Sequence, residues 1–303
     1  MVIRVLVVAG ALLVVLAAGG LAFVRYELRP RPAKLDAAAT GLPVESVTIP
    51  SMSGSQLAGW WLPGSGRGAV LLLHGAKSNR STLVDRMRML HEAGYGALAI
   101  DFQAHGESPG NAITFGQRES LDARSVLAWL RSRDPGDRIA VLGISMGGAA
   151  ILTGDPIRAD AVIVESTFPE LADFVTRRLS NAAGPVGRLL APPVLYAMRL
   201  SGVDPWRLRP IDGIRRLHVP VFVMSGADDK KVTVEESRNL FAAANPPKEY
   251  WEAPGAWHVD LAAIGGEAYR ERLLRFLSAA LRPEQPGAQG SMTLPAAIGP
   301  AGD

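Results

Sequence analysis

The most constraining feature of the chain is Gly143-Ile144-Ser145-Met146-Gly147-Gly148, which closes the apolar run Ile139–Ile144. A serine with glycine two residues away on either side, between a strand and a helix, sits on a turn too tight for neighbouring Cβ atoms. Gly148 lets the following helix pack close, and that helix's N-terminus directs free N–H groups at the reacting carbon. The same pattern recurs at Gly106-Glu107-Ser108-Pro109-Gly110. There the residue after the serine is Pro109, which has no N–H to offer an oxyanion. Ser108 also follows a loop, with no helix immediately after it. Ser145 is therefore assigned as a nucleophile and Ser108 as a turn serine.

The surrounding pattern says what holds that turn. Ala69–Leu73, Ala97–Ile100, Ile139–Ile144, Ala161–Val164 and Val219–Met224 are continuous apolar runs, as strands buried on both faces of a parallel sheet require. Val44–Ile49 and Gln56–Leu62 read as a leading hairpin. Helices are predicted between the runs: Leu83, Met87 and Leu90 form one stripe, and Ala123, Val126, Leu127 and Leu130 another. Such alternation predicts a doubly wound α/β sheet with its site at the C-terminal strand ends. Phe168–Leu217 breaks the rhythm, with helical pattern and many prolines, and reads as a lid inserted over the sheet. Trp206, Phe174 and Tyr196 within it are candidates to line an acyl pocket.

A serine hydroxyl needs a base. In this topology acid and base follow the serine in the chain, which leaves His218 and His258 of the five histidines. His218 precedes Val219-Pro220 at the wrong end of a strand. His258 follows the strand-like Glu249-Tyr250-Trp251 and is the predicted base. His74 ends a strand and His105 lies in the loop after Asp101, both ahead of Ser145, and His91 lies on a helix. The base needs a carboxylate to fix its tautomer. Asp228 and Asp229, after the run ending at Met224, are candidates, and so is Glu165, which ends the preceding strand.

The turn at Ser145, the entry Leu71-Leu72-Leu73-His74-Gly75 and Asp101-Phe102-Gln103-Ala104-His105-Gly106-Glu107-Ser108 together resemble the serine α/β-hydrolase superfamily. The nearest branches are the serine-aminopeptidase-like and prolyl-oligopeptidase-like ones, which include membrane-anchored thioesterases. The likeness covers about residues 44–281. It implies an α/β-hydrolase fold with a mostly parallel sheet, helices on both faces and a small helical lid at about 168–217. The superfamily's Gly-x-x-Asp-x-x-Val matches Gly226, Asp229 and Val232, which selects Asp229. The resemblance also implies that an oxyanion hole forms from the N–H groups of Ala76 and Met146. Where the superfamily usually has Asp-x-Arg-Gly-His-Gly, this chain has Gln103-Ala104, which removes a buried charge near the pocket wall.

The expectation is a serine hydrolase with the triad Ser145, Asp229 and His258, acting through an acyl-enzyme on a carboxylic ester. A thioester, lipid acyl group or peptide is the alternative on the same triad, and a non-catalytic binding module the alternative of another class. No metal or organic cofactor is called for, and with no cysteine there is no thiolate chemistry. The substrate is a small-molecule or lipid acyl compound, with no obligate protein partner inferred. Nucleic acid is not expected: the 27 Arg and 5 Lys are interleaved with acids and form no basic cluster.

At the N-terminus, Val5–Val24 is 20 residues without a charge, long enough to cross a bilayer as a helix. Residues 1–24 are therefore read as a transmembrane segment or signal anchor, a cleaved signal peptide being the alternative. Arg25, Arg29, Arg31 and Lys34 follow it and favour a cytoplasmic catalytic domain by the positive-inside rule. Residues 25–43 are read as a linker stiffened by Pro30 and Pro32, and 282–303, rich in Pro, Gly, Ala and Gln, as a disordered tail.

Overall fold

The computed structural model describes residues 18–133, 136–258 and 260–282. In chain order the elements are a helix over residues 18–28 (α1), β1 (Arg31–Pro32), β2 (Glu45–Pro50), β3 (Gln56–Leu62), β4 (Ala69–Leu73), α2 (Val84–Glu92), β5 (Gly96–Ile100), β6 (His105–Gly106), α3 (Glu119–Arg133), β7 (Ile139–Ile144), α4 (Met146–Leu152), β8 (Ala161–Glu165), α5 (Leu171–Leu200), α6 (Pro210–Ile214), β9 (Val221–Gly226), α7 (Val234–Ala243), β10 (Lys248–Ala253) and α8 (Leu261–Ala280).

Eight strands form one sheet in the order β10-β9-β8-β7-β4-β5-β3-β2. Strands β4, β5 and β7 to β10 are mutually parallel, while β3 runs antiparallel to both β5 and β2. Every residue of β4, β5, β7 and β8 is buried, the outcome expected of uninterrupted apolar runs between two helical layers. One layer packs Val126, Leu127, Leu130 and Ile151 against Leu71, Leu73 and Val141. The other packs Met87, Leu90, Leu273 and Phe276 against Val70, Leu72 and Leu142. Alternate residues of β4 and β7 thus feed opposite cores, as the pleat requires. The fold is that of an α/β hydrolase.

The strand expected at Val219 begins at Val221. Pro220 has no N–H for the ladder but supplies its carbonyl to Val162 N.

The topology positions the site. After β4 the chain goes to β5 on one side and then crosses to β7 on the other, so β4 and β7 are neighbours with Leu73 beside Gly143. Their outgoing loops separate there and leave a crevice at the C-terminal strand ends.

The segment between β8 and β9 forms the lid. Its helix α5 is broken at Ala183 and Gly184, where φ/ψ leave the helical region just ahead of Pro185. Both halves pack on α1: Val24 and Leu28 share a core with Phe115, Phe174, Val194, Leu195 and Met198. Of residues 25–43, expected as linker, 25–28 belong to α1, Ala38–Thr40 form a 3-10 turn, and the stretch around Arg31–Leu35 is strapped down. Arg31 and Pro32 pair in parallel with His105 and Gly106, and Leu35 N donates to Glu107 Oε1.

Among the described residues no helix is long and apolar enough to cross a membrane. Of Val5–Val24 only 18–24 are described, within α1; the rest of that run and the 283–303 tail lie outside the described residues.

Candidate active site

Ser145 sits between β7 and α4 with φ 52° and ψ −110°, a strained region for a residue with a side chain. The turn is held by Ser145 N donating to Glu165 O at 2.8 Å. Two glycines make it sterically attainable. A Cβ on Gly147 would run into the Leu73 carbonyl oxygen, and one on Gly143 into the Gly147 backbone. The strain is therefore maintained by the buried strand on one side and the buried helix on the other.

Ser145 Oγ lies 3.0 Å from His258 Nε2. On the far side of the ring, His258 Nδ1 lies 2.8 Å from Asp229 Oδ2. The other carboxylate oxygen, Asp229 Oδ1, accepts from Lys231 N at 2.8 Å and Val232 N at 3.0 Å. The Asp229 side chain is fully buried and that of His258 is 10% exposed. Fixed by two backbone donors, the carboxylate accepts from Nδ1–H and leaves Nε2 as an acceptor facing Ser145 Oγ–H. The three predicted residues thus form one hydrogen-bonded chain.

The rival carboxylates are placed elsewhere. Asp228 is exposed. Glu165 is fully buried and makes no hydrogen bond to His258, being held by Arg86 Nη2 at 2.6 Å and by Tyr269 Oη. Burial opposes the charge on Arg86, and the contacts with Glu165 and Tyr269 outweigh it and raise its pKa. Burial, reinforced by Glu165, pushes the Tyr269 hydroxyl well above its usual range.

Ala76 and Met146 line the cleft beside Ser145 and His258. Met146 opens α4, where an N–H has no intrahelical acceptor. Neither its N–H nor that of Ala76 has an acceptor among the described residues.

The loop carrying Ala76 is braced by two histidines whose role the sequence reading missed. His105 Nε2 accepts from Lys77 N at 3.2 Å, while its Nδ1–H donates to Gln103 O. His74 Nδ1–H donates to Gly75 O at 2.7 Å and Nε2 accepts from Phe102 N at 3.1 Å. Both rings must be neutral to accept at Nε2. Burial, with His105 beside it, depresses His74 to about 3, and burial lowers His105 as well. The available signal was position: His74 directly follows β4, and His105, in β6, comes shortly after β5. Gln103, the departure from the superfamily pattern, is buried and donates to Ala112 O and Glu119 Oε1.

The cleft has a volume of about 1160 Å³ including its mouth. Phe115, Phe168 and Phe174 supply apolar wall, with Phe168 and Phe174 stacked 5.0 Å apart. Of the three lid aromatics proposed for an acyl pocket only Phe174 lines it. Tyr196 and Trp206 pack edge-to-face on each other at the surface, 60% and 39% exposed. No group of three or more His, Asp or Glu side chains among the described residues is arranged to hold a metal.

Comparison with known proteins agrees with this architecture. Residues 64–199 match the family described as serine aminopeptidase, S33. That span includes Ala76, Ser145 and Met146 but ends before Asp229 and His258. An uncharacterized protein of Mycobacterium tuberculosis is 29% identical over 281 residues, covering 88% of this chain and 93% of that protein. The α/β hydrolase domain-containing protein WAV2 of Arabidopsis thaliana is 28% identical over 247 residues, 77% of this chain and 78% of that one. Among solved structures, the Pyrococcus furiosus esterase Pf2001 superposes with a TM-score of 0.69 at 25% identity, covering 84% of this chain and 99% of that one. Fold, family match and neighbours support one class, an α/β hydrolase.

Proposed function

We propose that the protein is a serine esterase working through Ser145, His258 and Asp229. The observation that carries this reading is the unbroken chain Asp229 Oδ2–His258 Nδ1 at 2.8 Å and His258 Nε2–Ser145 Oγ at 3.0 Å, opening on a cleft. His258 Nε2 takes the Ser145 proton as Oγ attacks the acyl carbonyl. The carbonyl oxygen becomes an oxyanion between the N–H groups of Met146 and Ala76. Asp229 stabilises the imidazolium and stays ionised. Collapse of the intermediate breaks the bond to the alcohol, which leaves with the proton from His258. Water, deprotonated by His258, then attacks the acyl-enzyme and releases the acid.

The choice of ester over peptide rests on charge. An aminopeptidase must bind its substrate's α-ammonium group, and the described residues lining the cleft include no carboxylate, while Glu27 beside it is taken by Lys77 and Arg178. The esterase neighbour from Pyrococcus furiosus supports the same choice. The apolar run Val5–Val24 supports attachment to a membrane, tested by fractionating cells that express the full chain.

The test is hydrolysis of 4-nitrophenyl acyl esters, matched amides and thioesters by the full chain. Esters should turn over fastest, and Ser145→Ala should abolish turnover. Turnover that survives Ser145→Ala refutes the proposal, and a preference for amides reassigns it to a peptidase.

A further inference from the structure

The cleft is lined by four cationic side chains, Lys77, Arg86, Arg178 and Lys231. Their charges are not equally available. Arg86 is neutralised by Glu165, with both side chains buried. Lys77 pairs with Glu27 of α1 at 2.7 Å, and Arg178 reaches the same carboxylate oxygen at 3.7 Å. Lys231 is exposed and makes no ion pair among the described residues. Three cations at the mouth therefore face one carboxylate.

The two acids that precede Lys230 and Lys231 in the chain do not cancel this excess. Asp229 is buried behind His258 with both oxygens occupied, and Asp228 is exposed and does not line the cleft. Phe115, Phe168 and Phe174 form low-dielectric wall on the same cleft, which concentrates the field of nearby charges instead of dissipating it. A neutral acyl ester gains nothing from such a mouth, and a cationic one is repelled. An anionic one is drawn in and held.

We propose that the substrate is an acyl ester carrying an anionic group, a carboxylate or a phosphate, held at the mouth by Lys231 and Arg178 while its acyl group faces Ser145. This deepens, and rests on, the esterase reading. The phosphate or carboxylate can belong to a soluble metabolite or to a lipid headgroup, and the chemistry of recognition is the same.

Three substrates sharing one butyryl group test it: 1-butyrylglycerol, the butyryl ester of glyceric acid and 1-butyrylglycerol 3-phosphate. Butyrate release by the full chain is measured at low and high salt, and the phosphate ester is also presented as its long-chain analogue in vesicles. The wild type should favour the anionic esters by about tenfold in kcat/KM at low salt, with the preference shrinking as salt screens it. The double variant Lys231→Gln, Arg178→Gln should bring the anionic-to-neutral ratio near one, whereas Lys231→Arg should retain it. Faster turnover of the soluble ester assigns a metabolite, and faster turnover in vesicles assigns a lipid. Equal kcat/KM on all three esters, or a ratio that survives the double variant, overturns the inference and leaves the esterase standing. No hydrolysis together with no labelling of Ser145 by a fluorophosphonate overturns the esterase reading itself.

Discussion

The elbow beneath Ser145 and the lid above it are built on opposite principles. The elbow is a strained backbone enclosed by buried strand and helix, and α4 is buried along its whole length. The lid helix α5 is broken at Ala183–Gly184 and carries Leu189 and Leu200 at 76% and 86% exposure. One region is fixed by sterics with no room for variation. The other rests on a modest apolar seam with α1 and is free to change its outer face. On the proposed reading, catalytic geometry belongs in the first region, and the second contributes part of the cleft wall through Phe168, Phe174 and Arg178.

Four changes would sharpen or break that contrast. The largest effect is expected on the catalytic side. Asp229→Asn keeps the shape but presents the wrong tautomer at His258, and kcat should fall by about 10⁴-fold. A fall below tenfold in steady-state assays, with Glu165→Gln abolishing turnover, would exchange the roles of the two carboxylates.

Next comes the body of the fold. Glu165→Gln leaves the buried Arg86 without its counter-charge, which should cost about 3–5 kcal/mol in urea denaturation. An unchanged midpoint would show that the Arg86 cluster does not brace the sheet.

Acid should act on the same body. His74 stays neutral down to about pH 3 in the fold, whereas an unfolded histidine takes a proton near 6.5. The unfolded chain therefore binds the extra proton as pH falls, so stability is full above 6.5 and drains away towards 3. His105, also lowered, acts in the same direction. Burial raises Asp101 and Asp122, which works against the loss only as those carboxyls titrate above 3.8. Thermal melts from pH 7 to 4 should show falling Tm, and His74→Gln should flatten the slope. A flat wild-type profile contradicts the neutral-histidine brace.

The smallest effect belongs to the lid's outer face. Leu189→Gln or Leu200→Gln should change stability by no more than about 0.5 kcal/mol. A loss of several kcal/mol would mean that this face is covered in solution.

The same contrast explains what could be read from the sequence. Steric requirements are local, so Gly143, Ser145 and Gly147 announce the elbow within five residues, and apolar runs such as Ala69–Leu73 announce buried strands. Pro109 separates Ser108 from Ser145 by one missing N–H. The carboxylate was less legible. Asp228, Asp229 and Glu165 all follow parallel strands, and only packing turns Glu165 to Arg86 and Asp229 to His258. The histidine brace depends on which ring nitrogen meets which backbone group across 28 residues, which no local pattern encodes. The lid was located by its broken rhythm, but its lining was not. Aromatic character alone does not distinguish Phe174 in the cleft from Tyr196 and Trp206 paired at the surface. Glu27 was the least visible, because its partners Lys77 and Arg178 come from two distant segments.

The most direct measurement is labelling of the full-length protein with a fluorescent fluorophosphonate, followed by mapping of the modified peptide. An activated Ser145 predicts a single adduct on that residue, absent in Ser145→Ala and strongly reduced in His258→Ala. An adduct on Ser108, or one that persists in Ser145→Ala, would contradict the assignment of the nucleophile.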